Sequence, residues 1–143
     1  MNKHKIRTRQ RARKLTVQAL YQWILSGHSA IEIEQQFIAF NNMLKVDAQY
    51  FHDLLYGVMQ NVITIETVFS SFIDRPTSNL DPIELTLLRL GTYELIYHTE
   101  IPYRIILDEA ISLSKEFGSE DGYKYVNGVL NKVARHIRAQ ELI

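Results

Sequence analysis

The sequence predicts an all-α fold, six or seven helices in two small packed sub-bundles. Apolar residues recur at helical spacing in nearly every segment, and none reads convincingly as a strand. Only three prolines and six glycines punctuate the 143 residues, and the clearest breaks coincide with segment ends. Apolar residues make up 46%, enough to bury a real core. The length fits a single domain, 1–143, with sub-bundles at about 1–78 and 79–143 and a basic arm over 1–14.

The first helix is predicted from about Thr8 to Leu25, with Ala12, Leu15, Ala19, Leu20, Trp23 and Ile24 on one apolar face. Arg7, Arg11, Lys14 and Gln18 gather on the opposite face, with Tyr21 at its edge, while Arg9 and Arg13 point elsewhere, beside the helix entry. Ser26 to Ser29 ends this helix, and Ser29 with Glu32 forms a capping box for a second, Ala30 to Phe40. Asp47 caps a longer helix with Tyr50, Leu54, Leu55, Val58 and Met59 in its core. Asn61 is a point of interruption, after which Val62, Ile65, Val68, Phe69, Phe72 and Ile73 form a second series. That series is rich in β-branched residues, yet its 3.6-residue spacing favours helix.

The segment 74–79 is the clearest break, and the sub-bundle boundary is placed there. Asp81-Pro82-Ile83-Glu84 is a strong helix start. The helix it opens, to about Tyr97, is apolar almost all round, the mark of a buried central helix. Another runs from Tyr103 to Phe117 and stops at Gly118. The last, Tyr123 to about Ala139, has a basic C-terminal half (Lys132, Arg135, Arg138) that suits its dipole. Asn127-Gly128 inside it opposes local propensity; close helix packing is one explanation, and the sequence leaves it open.

Charge is distributed unevenly. The first fourteen residues hold seven of the sixteen Lys and Arg and no acid. The other 129 residues carry nine basic against sixteen acidic side chains, a formal −7. A basic arm on an acidic body is an electrostatic footprint for a polyanion, most often nucleic acid; the alternative is a solvated tail. A second binding feature is Gly118 to Tyr125, where a glycine-flanked loop opens a helix. Free backbone N–H groups and Lys124 suit phosphate there, and Tyr123 and Tyr125 offer faces for base stacking. A capped helix with two core tyrosines is the competing reading.

No catalytic constellation is present: no Gly-x-Ser-x-Gly, no phosphate loop, no His-Glu-x-x-His. The five histidines lack metal-ligand spacing, and the absence of cysteine excludes disulfides and thiolate metal sites. A non-enzymatic protein without catalytic residues, metal or cofactor is expected. No apolar run approaches the roughly 18 residues that span a bilayer, and no signal peptide is evident, so a soluble, cytoplasmic protein is expected.

Several segments together carry a resemblance. They are Arg11-Ala12-Arg13 with Val17-Gln18-Ala19-Leu20-Tyr21, Asp53-Leu54-Leu55-Tyr56-Gly57-Val58, and Leu88 to Leu95. Ile101-Pro102-Tyr103 with Asp108 to Ile111, and Phe117 to Asp121 with Tyr125 to Leu130, complete the set. In this order, over nearly the whole chain, they resemble the NusB family of bacterial transcription antitermination factors. The resemblance implies a non-enzymatic, all-helical RNA-binding protein. Its implied partners are ribosomal protein S-ten (NusE), single-stranded boxA RNA, RNA polymerase and other Nus factors, chiefly at ribosomal RNA operons. It places RNA contacts at Arg7, Arg9, Arg11, Arg13, Phe72, Arg89, Asp121, Lys124 and Tyr125, and partner contacts at Tyr21 and Glu84. Gln10 stands where the family has an arginine, and Phe72 where it commonly has Tyr, so a hydroxyl contact is lost. Some family members form homodimers.

Two alternatives stand beside the RNA-binding adaptor. One is a protein-only helical adaptor. The other is a relative of the N-terminal domain of ribosomal RNA cytosine methyltransferases, disfavoured because the chain ends at Ile143 and has no cysteine.

Overall fold

The computed structural model describes residues 1–142. They form seven α-helices, α1 (Lys3–Ser26), α2 (Ala30–Phe40), α3 (Ala48–Gln60), α4 (Val62–Phe69), α5 (Pro82–Tyr97), α6 (Tyr103–Phe117) and α7 (Gly122–Ile137), with short 3-10 turns between several of them. Among the described residues there is no strand, and no helix is long and apolar enough to cross a membrane. The chain divides into two compact units, 1–60 and 61–143. The division falls at Asn61, earlier than the expected break at 74–79. The reason is that α4 packs on α5 and α7, so its apolar face belongs to the second unit.

In the first unit, Asn2 caps α1 by accepting from the Lys5 N–H (2.8 Å). The basic arm is therefore helix from Lys3, not an extension before a helix at Thr8. Gly27, at φ 70°, ends it in the left-handed conformation. Ser29 caps α2 as expected, accepting from the Glu32 N–H and donating to its carboxylate. Ala12, Leu15, Ala19 and Leu20 are buried with Ile33 of α2 and Phe51, Leu54, Leu55 and Val58 of α3. Trp23 is half-buried and Ile24 exposed; the inner face instead includes Arg13, Thr16 and Val17.

In the second unit, α5 is the axis. Asp81 caps it through two backbone N–H groups, and from Leu85 to Leu95 only Arg89 escapes full burial. Helices α4, α6 and α7 pack around it. Gly91 has a packing reason: a Cβ there would lie 2.7 Å from Leu130 Cδ1 of α7. Gly128 does not. It is exposed, and a Cβ would meet nothing within 4 Å, so the helix-packing explanation does not hold. A glycine inside a helix forgoes about 1 kcal/mol relative to alanine.

Arg138, just past the end of α7, is 6% exposed. Its guanidinium donates to the carbonyls of Leu95 (2.8 Å), Ile101 (2.9 Å), His98 (3.0 Å) and, more distantly, Glu94 (3.4 Å). The Glu94 and His98 carbonyls already accept backbone N–H groups from His98 and Ile101, so Arg138 adds a second donor there and caps the Leu95 carbonyl near the end of α5 and the Ile101 carbonyl beyond it. Glu141 pairs with the same guanidinium and accepts from the Tyr103 N–H at the start of α6 (3.0 Å). The backbone N–H of Tyr103 is the main influence holding the Glu141 carboxyl below its usual range. Arg138 thus serves the dipole of α5 rather than that of α7 alone. Arg138→Ala takes the guanidinium from the Leu95 and Ile101 carbonyls and leaves Glu141 without its cation, and we expect it to lower stability by roughly 2–4 kcal/mol in chemical denaturation.

Candidate nucleic-acid interface

Helical periodicity splits the arginines of α1 into two pairs. Arg7 and Arg11 are exposed, in line with Lys14 and Gln18. Arg11 also donates to the Lys45 carbonyl (3.2 Å), which steadies its stem while leaving the side chain at the surface. Arg9 and Arg13 turn toward α3. The Arg9 guanidinium lies 4.4 Å from the Tyr50 ring centroid and 3.9 Å from the Asp47 carboxylate. Arg13, 4% exposed, lies 5.4 Å from the same ring. This corrects the expectation for Arg13: it is a core cation satisfied by an aromatic face, not a group presented to solvent. Tyr21 is half-buried on α1.

In the second unit, the segment 70–76 runs beside α7 and meets several expected residues. The Phe72 ring lies 6.0 Å from His136 near the end of α7. The Tyr125 hydroxyl donates to Asp74 (3.2 Å). Asp74 also takes a two-pronged pair from Arg75 (2.7 and 2.9 Å), and the Arg75 guanidinium lies 5.3 Å from the Tyr125 ring centroid. Tyr125 is half-buried, so it is not a core tyrosine, and part of its ring stays at the surface. Arg75 and Asp74 escaped the sequence reading because 74–79 registered only as a break. An arginine inside a turn cluster was the available signal.

Asp121 and Lys124 are well exposed and pair with each other (3.3 Å). The helix start between them differs from the expected phosphate cradle. Gly122 is buried and its N–H donates to the Ser119 carbonyl, while the Lys124 N–H donates to the Asp121 carbonyl, so these donors are internal. Tyr123 is half-buried, with the Lys115 ammonium 4.6 Å from its ring centroid. Arg89 is less available than expected: its side chain is 13% exposed and lies 3.4 Å from the Glu66 carboxylate. Glu84 is half-buried beside Gly122, where an added Cβ would sit 3.3 Å from its Oε1. Burial, then the neighbouring Asp81, pushes its carboxyl up. Among the described residues no cluster of His, Asp and Glu could hold a metal ion.

The electrostatics of the Asp74 corner follow from the pairing. The hydrogen bond from Arg75 is the main cause holding the Asp74 carboxyl down at about 2. Burial, then Asp74, raises the Tyr125 phenol.

Fold and surface define a class: a small all-helical protein with a cationic helix face in one unit and a charged, aromatic-bordered corner in the other. The NusB family model matches residues 10–135. A curated relative from Legionella pneumophila (strain Corby), called Transcription antitermination protein NusB, is 53% identical over 142 residues, 99% of this chain and 97% of its own. One of the same name from Alcanivorax borkumensis is 47% identical over 133 residues, 93% of this chain and 89% of its own. Among solved structures, T. maritima NusB superposes with a TM-score of 0.80 at 26% identity, covering 93% of this chain and 95% of its own. A crystal structure of the antitermination factors NusB and NusE in complex with dsRNA shares the fold, with a TM-score of 0.81 at 22% identity over 95% of this chain and 99% of the other. The chain belongs to the NusB family.

Because the folded value of Asp74 lies below the ordinary 3.8, its pairing supports the 70–76 segment above that pH and is withdrawn as pH falls toward 2. Carboxyl-carbon NMR titration is expected to give an Asp74 midpoint near pH 2 in the native chain, returning toward 3.8 in Arg75→Gln.

Proposed function

We propose that this chain is a non-enzymatic transcription antitermination factor. With ribosomal protein S-ten (NusE), it binds boxA-type single-stranded RNA and joins RNA polymerase and other Nus factors, chiefly on ribosomal RNA operons. The observation that carries the reading is the exposed cationic face of α1, Arg7, Arg11 and Lys14, in a member of this family. The names of the relatives support the antitermination role.

The division of labour follows from placement. Arg7 and Arg11 take phosphates, which gives affinity without sequence preference. Asp121, Lys124 and Tyr125 supply base preference, because an exposed carboxylate accepts from base amino groups and a half-exposed ring stacks. Arg75 joins them as a cation already held against the Tyr125 ring. Phe72 contributes an aromatic edge at the same segment. Arg9 and Arg13 act indirectly by fixing α1 on Tyr50, and Arg89 through its pair with Glu66. Tyr21 and Glu84 contact the protein partner; a carboxylate suits a basic ribosomal protein.

Fluorescence anisotropy with labelled boxA-like RNA and a scrambled control, with and without NusE, tests this. Tighter binding to boxA-like RNA with NusE present is expected. With about four phosphates neutralised, log K should fall against log salt with a slope of about −3. Arg11→Ala weakens both RNAs alike, whereas Asp121→Asn changes their ratio. No RNA preference and no salt dependence would favour the protein-only adaptor.

A further inference from the structure

Gly128 has no role in the packing around it. Its methyl position is open space, and the helix around it is regular, which alanine would favour. Gly91, the other interior glycine described above in this unit, is explained by Leu130; Gly128 has no such neighbour. Glycine is the residue that lets something outside the fold approach a helix backbone closely, and the packing gives no other reason for it here.

The surroundings indicate what approaches. Lys124 and Lys132 lie one turn to either side and Arg135 two turns on, all exposed and all within about 40° of Gly128 on the helical wheel. The side chains of Lys132 and Arg135 make no ion pair or hydrogen bond among the described residues. Asp121 opens the stripe, paired with Lys124. Tyr125 and His136 border it on one side, where they meet Arg75 and Phe72, and the half-buried Asn131 borders it on the other. No aliphatic side chain lies along the stripe, whereas a protein-docking face would place apolar anchors at its centre. Three cations flanking a gap with no side chain match a phosphodiester chain.

We propose that a single-stranded RNA backbone runs along the exposed face of α7. Its closest approach lies over Gly128, and Lys132 and Arg135 hold successive phosphates. This rests on the RNA-binding reading above and extends the contact surface beyond Asp121, Lys124 and Tyr125 along the helix. An added methyl at residue 128 would push the ribose-phosphate chain away from both cations.

The test uses the full chain with NusE and labelled boxA-like RNA, in anisotropy titrations at several salt concentrations. Thermal melts of each protein alone, and its binding to labelled NusE alone, accompany them. Gly128→Ala is expected to raise Tm by about 2–4 °C yet weaken RNA binding about fivefold or more. Lys132→Gln and Arg135→Gln should each flatten the salt slope by about 0.7. Arg104→Gln, an exposed cation on α6, should change nothing. Wild-type affinity in Gly128→Ala with unchanged slopes in the two cation variants overturns the path while leaving the RNA-binding reading intact. A lower Tm in Gly128→Ala overturns it by giving the glycine a role in the fold. Weakened binding of NusE alone gives the face to a protein partner, which also overturns it. A wild-type chain that binds no RNA under any condition removes both the reading and the path.

Discussion

The burial of the Arg138 guanidinium is the constraint on which the second unit depends. An arginine enters a protein interior only where its donors are met, and helix C-termini leave carbonyls that need donors. Arg138 resolves both demands by placing its fork on the carbonyls that end α5. Through Glu141 the same group reaches the first N–H of α6. The ends of α5, α6 and α7 are therefore tied at one point. Packing of Leu130 over Gly91 fixes α7 on α5 further along. Two separate contacts therefore set the position of α7 on α5.

The first unit solves a related problem with a different interaction. A helix with arginines at every second position cannot send them all to solvent, because the helical period turns alternate ones inward. Tyr50 accepts those two on its ring, and Asp47 adds a carboxylate beside Arg9. Cation–π contact is worth more when desolvated, so the inner arginines contribute to the fold that displays the outer ones. The basic segment is thus an ordered cationic helix face. That order lowers the entropic cost of binding relative to a disordered arm.

Much of this was legible in the sequence because it depends on local rules. The caps at Ser29 and Asp81, the stop at Gly27 and the all-round apolar α5 follow from residue types at fixed spacing. The wheel also separated Arg7 and Arg11 from Arg9 and Arg13. What the wheel could not supply was the partner: nothing in α1 alone says that Tyr50 stands opposite Arg13. The same holds for Arg138, whose ligands lie about forty residues earlier in the chain. The unit boundary was misplaced because Pro76 marks a loop, whereas a boundary depends on which neighbours α4 packs against. The Asp74, Arg75 and Tyr125 cluster was invisible for the same long-range reason, since its members are separated by some fifty residues in sequence.

The proposed RNA site comprises the outer face of α1 and the segment shared by α7 and residues 70–76. Mapping amide chemical-shift changes in 1H–15N spectra while titrating boxA-like RNA into the NusE complex tests it most directly. Shifts are expected at Arg7, Arg11, Phe72, Arg75, Asp121, Tyr125 and Gly128, with α2 and the outer face of α6 unmoved. Shifts confined to α2 or to that α6 face, with α1 and α7 silent, would contradict it.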